Sequence, residues 1–209
     1  GATTANYKID TKAPTVTSFT ISDSSLIVGE TATVTVVFSE AVTGFSSDDI
    51  TVQNGALSTM TSSDNITWRG TFTPTENIED TSNILTLTAE RYTDISGNVG
   101  AGATTANYIV DTKAPTLINS SPANGETDVA VDSNIVLTFS EAVDAESGNI
   151  VIYKSSDNSI VETIDVTSDQ VTGSGTTEIT INPSDDLEVG TQYYVNIVAD
   201  AFDDISGNS

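Results

Sequence analysis

The chain of 209 residues has no cysteine, no histidine, one methionine, one tryptophan and only six lysines and arginines together. Without cysteine or histidine there is no thiol nucleophile, no disulfide, no imidazole base and no conventional zinc-ligand set, which removes most hydrolytic constellations. A secreted domain that cannot be stapled by disulfides needs rigidity from elsewhere, and bound metal is one physical route. No apolar run approaches the roughly 20 residues of a membrane-spanning helix, and no signal-peptide pattern opens the chain. The scarce basic residues face thirty Asp and Glu, leaving a formal charge of −24. Such a charge repels nucleic acid and anionic membrane surfaces, so neither is expected as a direct partner, whereas cations are. It also keeps an exposed protein soluble. Adjacent acids such as Asp48-Asp49, Asp185-Asp186 and Asp203-Asp204 do not make a glycosidase pair, because neighbours on a strand point to opposite faces. No enzyme active site is expected.

What the chain does have is repetition. Gly1–Thr15 reads GATTANYKIDTKAPT and Gly102–Thr116 reads GATTANYIVDTKAPT, identical at 13 of 15 positions and 101 residues apart. The phrase FSEAV occurs at Phe38–Val42 and again, 101 residues on, at Phe139–Val143, and DISGN occurs at Asp94–Asn98 and, 110 on, at Asp204–Asn208. A period of about 100 residues is one small domain, so the chain is read as two tandem units. The second is longer by nine residues between FSEAV and DISGN, and a longer middle hairpin is expected there.

Val, Ile and Thr recur in short alternating runs, without long apolar periodicity at helical spacing. In the first unit residues 14–22, 31–39, 49–53, 57–62, 66–73, 83–90 and 104–111 read as seven strands separated by turn residues. Ala32, Val34, Val36 and Phe38 share one face, as do Leu85, Leu87 and Ala89. The second unit repeats the plan near 117–121, 134–140, 149–153, 160–166, 178–182 and 192–201. Seven short antiparallel strands per 100 residues predict an all-β protein of two tandem immunoglobulin-like Greek-key β-sandwiches joined by a short linker. Residues 11–111 form the first sandwich and 112–209 the second, while 1–10 read as the last strand and linker of a preceding repeat. The second sandwich has no counterpart of the closing ATTANY strand before Ser209. An unpaired edge is therefore expected, which the leading segment of a neighbouring molecule could fill head to tail.

Tracing antiparallel strands brings FSEAV, DISGN and the DTKAP linker to one end of each unit. Asp10, Glu40 and Asp94 then gather in the first, with Asp48, Asp49 and Asn98 nearby, and Asp111, Glu141 and Asp204 in the second, with Asp203 and Asn208 nearby. Clustered carboxylates repel unless a cation neutralises them, and hard oxygen ligands suit Ca²⁺ better than Mg²⁺. DISGN also reads as a plain turn, with Asp94 capping amides and Gly97 at positive φ. Trp68 shares a strand face with Ile66, Gly70 and Phe72 and is expected in the core. Tyr194 lies opposite Tyr193, Val195 and Ile197 and is expected to be exposed.

The combination of DTKAP, FSEAV and the loops YTDISGN and FDDISGN resembles the bacterial immunoglobulin-like repeats of giant surface adhesins, including RTX-type and biofilm-associated proteins. The stretch SPANGETDVAVDSNIVLTFSEAV resembles a variant also seen in S-layer and cell-wall proteins. The resemblance implies an extracellular role at the bacterial cell surface, as a structural spacer whose stacked repeats project a distal binding head. It also implies Ca²⁺ at the junctions, with Asp111, Glu141 and Asp204, or Asp10, Glu40 and Asp94, among the ligands. Neighbouring repeats of the same chain are the implied partners. The alternatives are a glycan- or protein-binding sandwich, or an accessory domain of a secreted polysaccharide-degrading enzyme.

Overall fold

The computed structural model describes residues 1–6 and 9–209. They divide into two compact units, Gly1–Thr112 and Lys113–Ser209, each built on its own core, with no α-helix among the described residues. Residues 1–6 and 9–15 form no strand, and Tyr7 and Lys8, inside the segment read as an orphan closing strand, lie outside the described residues.

The first unit contains β1 (Val16–Ile21), β2 (Ser25–Leu26), β3 (Ala32–Phe38), β4 (Val42–Thr43), β5 (Ile50–Thr51), β6 (Gly55–Leu57), β7 (Thr67–Pro74), β8 (Glu79–Asn83), β9 (Thr86–Leu87), β10 (Thr93–Asp94), β11 (Ala103–Thr104) and β12 (Tyr108–Asp111). One sheet runs β1-β3-β7-β6; the other layer is made of β11-β9-β5 and β2-β12-β8, and β10 pairs with β4 at one end. Alternation explains the layers. Ala32, Val34, Val36 and Phe38 of β3 are all buried, while Thr33 between them is exposed, so one pleat face supplies the core. An aromatic cluster fills one part of it, with Phe38 against Tyr92 at 4.6 Å and Phe45 edge-on to both Phe38 and Trp68. The Tyr108 phenol, buried in the opposite layer, donates to the Gln53 carbonyl at 2.6 Å, and burial pushes its pKa up to about 12.

The second unit contains β13 (Leu117–Ser121), β14 (Ile135–Ala145), β15 (Asn149–Lys154), β16 (Ile160–Asp165), β17 (Val171–Thr172), β18 (Thr176–Ile181), β19 (Tyr193–Ile197) and β20 (Phe202–Asp204). One sheet is β13-β14-β18-β17 with β20 also on β14, and the facing sheet is β16-β15-β19. Its core is mostly aliphatic, centred on Leu137, Ile150, Ile152, Ile164, Ile179 and Ile181. Leu137 lies opposite Ile179 as Val36 lies opposite Trp68, yet the former pair is 42 residues apart and the latter 32. The added length falls in the β15–β16 hairpin and the β17 turn, the middle of the unit, as the spacing of the repeated phrases predicts.

Some element bounds differ from the sequence reading. The strand expected over 83–90 is two short strands, and the first starts at Glu79. Glu79–Asn83 buries only Asn83, so it carries no apolar period to betray it. Ala89 is exposed beyond the end of β9 rather than continuing the Leu85 and Leu87 face. Residues 57–62 are not a strand: β6 ends at Leu57, and Thr61 keeps an isolated bridge to Arg69.

The two cores share no residue, so damage to one is expected to spare the other. Phe72→Ala empties a fully buried site packed on Tyr108 at 5.3 Å. It should cost the first domain about 3–5 kcal/mol, read in calorimetry as an early-melting first transition while the second keeps its midpoint.

Candidate metal centre

Backbone pairing assembles three acids in the first unit. At the end of β3 the chain turns through Ser39-Glu40-Ala41 into β4, whose Val42 pairs with Asp94 of β10. The segment leading into β1 is tied to the same turn, since Thr15 N–H donates to Ser39 Oγ at 3.0 Å and Ser39 N–H donates to the Thr15 carbonyl at 2.8 Å. Asp10, Glu40 and Asp94 thereby converge, each offering a carboxylate oxygen within 4.8 Å of the others. Oxygens sharing one Ca²⁺ at 2.3–2.6 Å can stand at most about 5 Å apart, so this spacing admits the ion. Among the described residues none of the three has a Lys or Arg partner.

Asp94 is 2% exposed and organises the DISGN turn. Its Oδ1 accepts from the amides of Ser96 and Asn98 at 2.8 and 2.9 Å, its Oδ2 accepts from Asn98 Nδ2 at 2.8 Å, and Gly97 closes the turn at φ +86°. These bonds, the Asn98 side chain first, hold the Asp94 carboxyl below its ordinary value of 3.8. Asn98 Nδ2 also donates to the Asp10 carbonyl at 3.2 Å, stapling the entering segment to the turn. The amide nitrogen of Asn98 is thus a positioning group, and only its Oδ1 has the chemistry to face a cation. Asp10 Oδ1 accepts the Lys12 amide at 3.2 Å.

The second unit repeats the turn atom for atom. Asp204 Oδ1 accepts the amides of Ser206 and Asn208, its Oδ2 accepts Asn208 Nδ2 at 2.9 Å, and Gly207 stands at φ +81°. The Ser140 and Thr116 tie also recurs at 2.9 Å in both directions. Glu141, however, sits within the continuous strand β14, where Glu40 occupies a turn between two strands. Asp111 ends β12 in the first unit, whereas Glu141, Asp204 and Asn208 belong to the second. Beside them Asp203 has a buried Oδ1 with no hydrogen-bond partner. Burial, then the charges of Glu146, Asp204 and Asp144, raise its pKa. The sequence points to Asp203 but not to Asp144 or Glu146, because the alternation that marks a strand over 134–140 stops short of both.

Other chemistry is sparse. Trp68 is half-buried against the core, edge-on to Phe45 at 5.1 Å, and offers no sugar platform. Tyr194 is exposed, as its strand face requires, and stacks on Tyr153 at 4.9 Å. An open recess of about 440 Å³ is lined by Thr61, Asp64 and Arg69 among others. There Asp64 is taken up by the amides of Thr67 and Ile66, which lower its pKa and make it a turn former.

Residues 10–110 match a family model described as a bacterial Ig-like domain, and residues 111–209 match a second, different one with the same description. No curated protein matches the chain.

Two acids are expected to respond to pH in opposite senses. The depressed pKa of Asp94 means its stabilisation is complete above the unfolded value and is lost as pH falls through the native one. Asp94→Asn should lower the first domain's melting midpoint by several degrees at pH 7, with the deficit shrinking toward pH 3. The raised pKa of Asp203 costs stability at neutral pH and relaxes on acidification. Asp203→Asn should raise the second domain's midpoint at pH 7 and converge with the parent near pH 4; thermal scans from pH 3 to 8 read both.

Proposed function

We propose that this chain, which belongs to the bacterial Ig-like domains and carries two kinds of them in tandem, is a spacer of a bacterial cell-surface adhesin of the RTX or biofilm type. Such domains commonly occur in extracellular or surface proteins and are typically non-catalytic modules. The spacer reading draws on two sandwiches, each with its own hydrophobic core. Rigidity comes from Ca²⁺, and the observation that carries this part is the convergence of Asp10, Glu40 and Asp94. The donor set is all oxygen and triply charged, which matches a hard divalent ion. Asp10 lies on the segment entering the sandwich, while Glu40 and Asp94 lie on its end loops. One ion held by all three therefore fixes the direction in which the chain enters the domain. The sequence presents the same three acids again at Asp111, Glu141 and Asp204.

Ligand binding stabilises by mass action, about 2.7 kcal/mol at a hundredfold excess over Kd. Millimolar Ca²⁺ should therefore raise the first domain's melting temperature over that in EDTA, and small-angle scattering should report a stiffer particle. Glu40→Gln removes a ligand whose carboxylate makes no hydrogen bond within the turn, and should abolish most of the Ca²⁺ increment while leaving the EDTA midpoint near the parent value. Identical melting and scattering in EDTA and Ca²⁺ would refute the calcium part.

A further inference from the structure

In a chain with thirty acids and six bases, no Asp or Glu falls in the four strands of the β1-β3-β7-β6 sheet, and their one charged residue is Arg69. Alternation sends Thr33 and Thr35 of β3, and Thr67, Arg69, Thr71 and Thr73 of β7, to the face opposite the core. Across the ladder Arg69 stands opposite Thr35 on one side and bridges Thr61 on the other. The corresponding sheet of the second sandwich is unlike it. With the two FSEAV phrases aligned, Thr180, opposite Val136, takes the place of Arg69, and Glu178, opposite Thr138, takes that of Thr67.

The open recess of about 440 Å³ lies on this face, where β7 meets the chain that leads into it. Its lining is Thr61, Ser62, Ser63, Asp64, Thr67 and Arg69, with no aliphatic or aromatic side chain. Two of its sides are held in place. Thr61 and Arg69 exchange backbone hydrogen bonds at 2.9 Å in both directions, and Arg69 Nη1 donates to Thr35 Oγ1 at 2.8 Å, which fixes the guanidinium on the sheet. The turn at residues 62–64 is locked by Asp64, whose Oδ1 accepts from Ser62 Oγ and from the Ile66 and Thr67 amides. Asp64 is thus committed to the loop. Among the described residues Arg69 has no carboxylate partner, which leaves the other N–H groups of its fork for a ligand. The hydroxyls of Ser63 and Thr67 likewise make no hydrogen bond among the described residues.

We propose that this recess binds a carboxylate-bearing sugar, a uronic acid unit of a polysaccharide. The guanidinium of Arg69 donates two parallel hydrogen bonds to the sugar carboxylate, a match of planar fork to planar acceptor that a lysine cannot make. The hydroxyls of Ser63 and Thr67, each both donor and acceptor, meet the ring hydroxyls. The lining also selects among carboxylates. An acidic peptide brings apolar groups that find no apolar surface here, whereas a sugar brings hydroxyls to a wall of hydroxyls. The volume falls in the ordinary range for small-molecule sites, about 300–1,000 Å³. A charge of −24 opposes anions at long range, but at 0.15 M salt the screening length is about 8 Å, and the strands around Arg69 carry no acid. The site adds polysaccharide capture to the spacing role and rests on the recess alone, independently of the calcium reading.

The test is a titration of the full, isotope-labelled chain followed by heteronuclear NMR at about 0.15 M NaCl, with EDTA present so that calcium has no part in the outcome. Digalacturonate should shift the amides of Thr61, Ser63 and Thr67 and the Arg69 Nε–H signal saturably, and leave those of Val136 and Thr180 in the second domain unmoved. Neutral galactobiose, sodium acetate and triglutamate each offer only part of the recognition and should bind at least about tenfold more weakly. Arg69→Lys keeps the charge and loses the fork, and should weaken digalacturonate about tenfold. Ser63→Ala deletes one free hydroxyl from an exposed loop and should weaken it severalfold. Both variants should keep the parent melting midpoint. No saturable shift at these amides, an affinity that Arg69→Lys and Ser63→Ala leave unchanged, or equal binding of galactobiose, acetate or triglutamate overturns the proposal.

Discussion

A strand with an alternating pattern has one apolar face, and each sandwich is stable only in so far as that face is covered on all sides. The first sandwich meets this constraint through its closing segment. Residues 103–111 lie on the edge of the 79–87 strands, and behind them Leu26, Leu85, Tyr108 and Val110 are fully buried. Side chains assist where the ladder alone does not suffice. Thr105 and Asn107 accept amides of Leu85 and Asn83, so the polarity of the ATTANY phrase supplies backbone pairing as well as solubility. In the second sandwich β19 pairs with β15, and Val195 on it is partly exposed.

The second organising constraint is charge. With thirty acids against six bases, few carboxylates can find a cationic side chain, and the fold disposes of them mainly through backbone amides. Asp94, Asp204 and Asp64 each accept several hydrogen bonds from turns that they themselves hold. Asp203 is the opposite case: no amide reaches its buried oxygen, and its proton is held more tightly. Asp10, Glu40 and Asp94 lie between these extremes. The Asp94 carboxylate is satisfied locally, but the trio as a whole has its negative charge concentrated in one small volume. That concentration is why a divalent ion is the natural complement of the arrangement.

Much of this was legible in the sequence because the informative segments are repeated. The alternation of Ala32, Val34, Val36 and Phe38 is visible in period-two patterning. The DISGN turn was readable because an Asp with Gly three residues on has few local solutions, and both copies adopt the same one. Less visible were Glu79–Asn83, Val171–Thr172 and Phe202–Asp204, which are short and largely polar or broken by turns. For Glu79–Asn83 and Phe202–Asp204 strand character comes from partners distant in sequence, Tyr108–Asp111 and Val143–Ala145. The bridging role of Asn98 was equally hidden, because its bond to Asp10 spans 88 residues.

By itself the sequence determined the period, the all-β class, the two-sandwich plan and the identity of the acids that could meet, since these depend on local alternation, turn chemistry and internal identity. Tertiary structure decided which acids do meet. FSEAV is the same five residues in both units, yet Glu40 lies in a turn and Glu141 within a strand, because β14 takes on an additional pairing between Val143 and Thr176. A side chain's surroundings are set by what the rest of the chain packs against it, and identical phrases therefore acquire different roles.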